Sequence, residues 1–471
     1  MCLLFWSWLV AVGSVEERPY WATARPPKDW FNRTRGLPDV KKTELKKRDP
    51  RVFLMDAEVL LWNRQEGWKA PLLELKKAAD KALDIGPRTV VRVGKEDGGK
   101  DDGAKGDGAK DEDKVDHSYH SVGPYWWPDP LKADGLPYVW KPGKVNPDRK
   151  KKGDFFHFKE VVEGVTTLSL AYWFTSNETY AAHAAMLVRT WYLDDATKMD
   201  PQLEYAQEIP GLRKGRGDGI IDSDGQPNLV DAIGLLEGSE HFTKQDLNKT
   251  VIWFSDFLKW LQFSDNGQEE RNHVNNHGIE YDAQTAAYAL FVQQEDVATN
   301  IFLELPRRRI ATQIESDGSQ PFELQRDKSW DYSCLSTLRF AQVASLALNV
   351  GLDLWTYETP DGRSIKKAID FLLTFAQGHK TWPYPQSVPL NPRKLVLPLY
   401  LAAQRHPAYA DAALSIIHNS TNNLKKCSSL SWWALPGIVS PLAHLKKKKT
   451  DDTDIIPQAG RGGVVGKQHQ A

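Results

Sequence analysis

Cysteine is scarce: Cys2, Cys334 and Cys427 are the only three in 471 residues, which excludes a disulfide-dense scaffold. Charge of one sign is missing too. Sixty-one Lys and Arg oppose 62 Asp and Glu, a net charge of −1, so no global field favours nucleic acid or a membrane surface. The apolar start, MCLLFWSWLVAV, falls well short of the roughly 20 residues that span a bilayer. No alternating strand series, βαβ rhythm or strict internal repeat is present, which argues against β-rich folds and a regular solenoid.

What is there begins with size. The chain is long enough for one large or two medium domains, and 41% hydrophobic residues supply a substantial core. Aromatic residues are abundant, with 18 Trp, 15 Tyr and 17 Phe. Flat rings suit the apolar faces of sugars, although core packing accounts for most of them. The start resembles the apolar part of a signal peptide ending near residue 14, without its basic flank. With that segment removed, Cys334 and Cys427 remain as a candidate disulfide, with free buried thiols an equal alternative. Acceptor sequons at Asn32, Asn177, Asn248 and Asn419, together with the leader-like start, point to a secreted glycoprotein.

Residues 94–116 (GKEDGGKDDGAKGDGAKDEDKVD) hold almost no apolar side chain and cannot offset the entropy of ordering. They are expected to be a disordered insertion, and residues 446–471 a disordered tail. Between these ends, one domain over 15–445 is expected. Helical spacing marks 54–83 (broken by Pro71), 158–174, 179–192, 229–236, 245–263, 282–293, 297–314, 332–350, 364–375 and 397–405. Such hairpins joined by long Gly/Pro-rich loops predict an all-α, incomplete (α/α) toroid whose loops build a cleft.

Two of those loops stand out. Residues 119–148 carry six prolines and three glycines, and their Tyr125, Trp126, Trp127 and Trp140 are candidates for a sugar-binding wall. Packing onto the helices below is the even alternative. Residues 191–221 offer Tyr205 and Gln207 as hydrogen-bonding groups; Arg213 and Arg216 there are as readily solvated surface.

The chemistry concentrates elsewhere. Asn275, Asn276 and His277, followed by Gly278, precede the helix expected from 282, and Arg326 and Tyr332 lie at the entrance of the helix running to 350. An amide, an imidazole, a guanidinium and a phenol suit removal of a weakly acidic C–H proton beside a carboxylate, with return of a proton to a leaving oxygen. Taken singly, Asn276 is as readily a helix cap and His277 a satisfied buried histidine. His273 and His277 have i,i+4 spacing, but no neighbouring Cys or acidic pattern completes a zinc motif, so no metal is expected.

These residues carry a likeness. PYWWPDPLKADGLPY (124–138), residues 174–211, NNHG (275–278) and the Arg-x-x-Ser-x-x-Tyr of 326–332 resemble the alginate lyase superfamily of toroid polyuronate lyases. The branch containing glucuronan lyases is the most similar. The resemblance implies that Asn276, with Arg326 helping, binds the C5 carboxylate, that His277 is a second neutraliser or the base, and that Tyr332 is the base, the acid or both; Tyr125, Trp126, Trp127, Tyr205, Gln207 and Asn275 are the candidates for binding substrate. It implies β-elimination on an acidic polysaccharide, with no cofactor, nucleic-acid or membrane partner, by a monomer. The family segment usually reads Arg-Thr-x-Ser, and Asp327 and Lys328 depart from it. Two other readings remain: a glycoside hydrolase using two of Asp218, Asp222 and Asp224, and a non-catalytic polyuronate-binding protein.

Overall fold

The structure, a computed structural model, describes residue 29 and residues 33–46, 48–65, 69–92 and 115–419. The expected signal segment, Asn32, nearly all of the insertion, Cys427 and the tail lie outside the described residues. Asp116, expected within the insertion, is instead held in place: it bridges Arg92 and accepts from the Ser118 N–H.

The expected helices are present. They are α1 (Ala57–Gln65), α2 (Lys69–Ala82), α3 (Phe155–Thr175), α4 (Glu178–Val188), α5 (Gln226–Leu235), α6 (Lys244–Phe263), α7 (Asp265–Arg271), α8 (Asn276–Phe291), α9 (Glu295–Leu305), α10 (Ser329–Ala347), α11 (Ile365–Ala376), α12 (Val396–Ala403) and α13 (Ala408–Asn419). Pro71 falls in the first turn of α2, where its missing N–H breaks no ladder. Asn177 starts α4 by accepting the Thr179 N–H at 3.1 Å, and Thr243 and Asp246 form a reciprocal capping box on α6. Neighbouring helices pack as α3 on α4 and α5, α8 on α9 and α10, and α12 on α13. The architecture is the all-α incomplete toroid that the hairpin pattern predicts.

One cluster of buried side chains forms the main core, and Trp191, Trp330 and Trp355 lie wholly inside it. Much of the aromatic load is therefore packing, as in the stacked pair Phe158–Trp191 at 5.4 Å.

Short strands tie down the loops. β1 (Lys41–Lys42) pairs antiparallel with β6 (Leu352–Asp353), and β3 (Trp126–Trp127) with β4 (Val139–Trp140). β2 (His120–Val122) pairs in parallel with β5 (Tyr205–Glu208), so the two long loops zip together. Buried Asp222 fixes that seam by accepting from Tyr119 Oη (3.0 Å), Ser121 Oγ (2.5 Å) and Gln207 Nε2 (3.0 Å). A buried carboxylate is tolerated only when it is satisfied this way.

Candidate active site

Local capping decides where the Asn-His pair sits. Asn275 Oδ1 accepts the His277 N–H at 3.1 Å, so α8 starts at Asn276 rather than near residue 282. Asn276 and His277 thus occupy the first turn, where the helix N-terminus attracts anions. Gly278 is there for space: a Cβ would run into the His273 carbonyl and the Arg309 guanidinium. Arg309 is fixed in turn by Asp282 (2.6 Å) and the His273 carbonyl (2.7 Å).

The second half of the site arrives on α10, which starts at Ser329 and not Tyr332 because the chain folds back on residues 385–386. Ser329 N–H and Oγ donate to the Pro385 carbonyl, and the Trp330 N–H donates to Gln386 Oε1. Tyr332 therefore lies in the first turn, with Arg326 just before it. The Arg326 guanidinium covers the Tyr332 ring at 3.5 Å, and its Nη1 donates to Asn276 Oδ1 at 3.4 Å. With Oδ1 engaged, the Asn276 amide N–H₂ is the end left to meet a ligand. Tyr332 Oη is 2.7 Å from Tyr125 Oη, which brings the aromatic loop into the same site. Burial pushes the Tyr332 phenol well above its ordinary range, against the opposing pull of Arg326.

His277 is buried, with Nδ1 2.7 Å from Glu270 Oε1 on α7. Burial holds its pKa below the ordinary value; Asp218 pulls it up, and Arg326 pushes it down further. Glu323 Oε1 accepts the Asn276 N–H at 2.6 Å, and its Oε2 lies 3.8 Å from Arg326. Desolvation raises the Glu323 carboxyl to about 7 despite Arg326. Glu270 and Glu323 were not recognisable as site residues in the sequence. Glu270 lies just before the polar run at 271–278, which was its only signal.

The structure thus brings together Asn276, His277, Arg326, Tyr332, Tyr125 and Asn275. Other candidates fare differently. Gln207 takes a left-handed backbone (φ 50) at the break in the β2–β5 register, and both ends of its amide are engaged. Arg216 donates to its Oε1 at 2.6 Å while its Nε2 donates to Asp222, so Gln207 braces the seam instead of offering bonds to a substrate. Tyr205 stacks on His120 at 4.8 Å. Trp126 packs on Val122, Tyr138 and Ile209, while Trp127 lies under Lys141 at 4.8 Å. Cys334 is buried on α10, and its candidate partner Cys427 lies outside the described residues. Asn177 and Asn248 are exposed; the Asn419 side chain is not described.

The hydrolase alternative loses its acids. Asp218 pairs with Arg216 (3.2 Å), Asp222 is saturated as above, and Asp224 is bound by Arg339 and Lys159, both at 3.2 Å. Burial acts to raise Asp218, but the opposing charges, Arg216 at 3.2 Å foremost, outweigh it and keep the carboxylate ionised. Among the described residues, the one group of metal-ligand type is Glu178, Glu240 and His241, outside this site.

Comparison with known proteins agrees with the geometry. The family model for alginate lyase matches residues 105–382. An alginate lyase from Bacteroides ovatus is 33% identical, with a TM-score of 0.72 over 81% of this chain and 98% of that one. Alginate lyase A1-III from Sphingomonas species A1 is 18% identical over 63% of this chain and 80% of that one, with a TM-score of 0.46. That score is too low to add to the assignment. No curated protein matches in sequence. On the family match and the 33% identical relative, the chain belongs to the alginate lyase family and is a polysaccharide lyase.

Proposed function

We propose that this lyase is secreted and cleaves a 1,4-linked polyuronate, alginate or glucuronan, by β-elimination at the Asn276–His277–Arg326–Tyr332 site. The observation that carries the reading is the Tyr332 phenol, stacked on Arg326 and beside the α8 N-terminus that presents Asn276 and His277. Secretion is supported by the leader-like start and by the exposed sequons at Asn177 and Asn248.

The chemistry follows from charge. Removing H5 places a second negative charge on a group that already bears a carboxylate. The Asn276 amide, His277, Arg326 and the helix N-terminus stabilise that dianion, each donor by roughly 3 kcal/mol in the transition state. Burial keeps the resting Tyr332 a neutral phenol; its proton leaves by way of the Tyr125 hydroxyl 2.7 Å away, and the phenolate so formed, faced by the Arg326 guanidinium, takes H5. The C4–C5 double bond forms as the C4–O4 bond breaks, and the Tyr332 proton passes to O4. One fragment ends in a 4,5-unsaturated uronate and the other in a reducing end.

Product chemistry tests this. Polymannuronate, polyguluronate and glucuronan are offered side by side, and ultraviolet absorbance of the unsaturated ends is followed with reducing ends. At least one polymer is expected to yield both signals in equal amount. Reducing ends without ultraviolet absorbance would reveal hydrolysis and sink the reading.

A further inference from the structure

Resting on the lyase reading above, we propose that Glu270 is a positioning residue that keeps its own proton and donates it to His277 Nδ1. His277 then faces the substrate carboxylate as an Nε2–H donor, and the site is committed to syn-elimination by Tyr332 alone.

A neutral imidazole carries its proton on one nitrogen, and the partner of the other nitrogen decides which. Here that partner is Glu270, 2.7 Å from Nδ1 and wholly buried. An ionised Glu270 accepts Nδ1–H and leaves Nε2 as a base. A protonated Glu270 donates to Nδ1 and leaves Nε2–H. The two arrangements differ by one proton and call for opposite chemistry.

The surroundings choose between them. Glu270 Oε2 is buried without a hydrogen-bond partner; the nearest candidate, His273 Nε2, lies 3.6 Å away and is itself unpartnered. An anionic oxygen left so costs far more than a neutral carbonyl oxygen. His273 Nε2 also lies 3.9 Å from Asp218 Oδ2, and Arg216 keeps that carboxylate ionised, so a second buried anion would repel it. Glu269, next along α7, is engaged by Arg213 and the Gly217 N–H. Arg326 and Glu323 face His277 from the segment before α10. Burial pushes the Glu270 carboxyl well up, and it pushes His277 down. Both directions favour the neutral pair.

The stereochemical consequence is direct. In mannuronate and glucuronate, H5 and O4 lie on the same side, so the Tyr332 oxygen takes H5 and returns the proton to O4. His277 keeps its Nε2 proton throughout. In guluronate the two lie on opposite sides, and a second base is needed that an Nε2–H imidazole does not supply.

Nitrogen-15 histidine NMR on the full chain, with His277 assigned by its loss in His277→Ala, reads the tautomer without reference to activity. Nε2 is expected protonated and Nδ1 bare; a proton on Nδ1 overturns the proposal. Glu270→Leu is expected to lower kcat at least about 30-fold, with Glu270→Gln, whose amide N–H replaces the O–H, recovering most of it. In the wild type, kcat/KM falls at alkaline pH as Glu270 ionises, and in Glu270→Gln that fall moves up or disappears. Failure of Gln to rescue, an unmoved alkaline limb, or polyguluronate cleaved as fast as polymannuronate each overturns it. Should no polymer yield unsaturated ends, the lyase reading fails while the NMR result still decides the tautomer.

Discussion

Tyr332→Phe separates chemistry from architecture unusually well. The ring stays, so the Arg326 guanidinium at 3.5 Å keeps its aromatic partner. What goes is one hydroxyl and its 2.7 Å bond to Tyr125, whose own hydroxyl is only partly buried and turns to water. A neutral hydrogen bond of that kind is worth about 1 kcal/mol, so the fold barely changes. The reaction loses both its proton acceptor and its proton donor. General acid–base groups contribute roughly 10²–10⁴-fold each, and a kcat loss of at least about 10³ is expected. That corresponds to about 4 kcal/mol of transition-state stabilisation. The assay is initial rate of ultraviolet-absorbing product, with circular dichroism and thermal unfolding as the control. A variant that folds like the parent and retains a rate within tenfold of it would refute the proton shuttle.

Three further outcomes follow from the same geometry. Arg326→Lys keeps the charge but loses the planar stack on Tyr332 and the reach to Asn276; kcat is expected to fall about 10²-fold with little change in KM, read by steady-state kinetics. Gly278→Ala forces a Cβ against the His273 carbonyl and Arg309, and is expected to cost about 1–3 kcal/mol in urea unfolding. The Glu323 carboxyl stands at about 7 against 4.5 in the unfolded chain, so the folded state holds its proton longer. Its contribution to stability is whole below pH 4.5 and is lost as pH rises through 7. Glu323→Gln should therefore gain stability relative to the parent between pH 5 and 7 in paired denaturation curves; parallel curves would contradict the shift.

Several parts of the site were legible because local rules govern them. The hairpin spacing announced the helices, and Asn177 and Thr243 start theirs as capping residues do. Asn276, His277, Arg326 and Tyr332 stood out as polar residues crowded beside apolar helices. The start of α8 was misplaced by several residues because His-Gly looks unhelical, yet Asn275 caps it and burial outweighs propensity. Gln207 looked like a ligand because nothing in the sequence reveals that Arg216 and Asp222 occupy its amide. Glu270 and Glu323 escaped notice because charged residues in short polar runs ordinarily face water.

The sequence by itself determined an all-α toroid and the set of chemical groups at its cleft, since periodicity, capping and residue type act over a few neighbouring positions. Only the tertiary structure decided what those groups do. It stacked Arg326 on Tyr332, tied the Asn276 Oδ1 to Arg326, and placed a buried carboxyl against His277. Those effects come from desolvation and from contacts such as Arg326 on Asn276, 50 residues apart; even the Glu270–His277 contact, seven residues apart, takes its character from burial that no local pattern encodes.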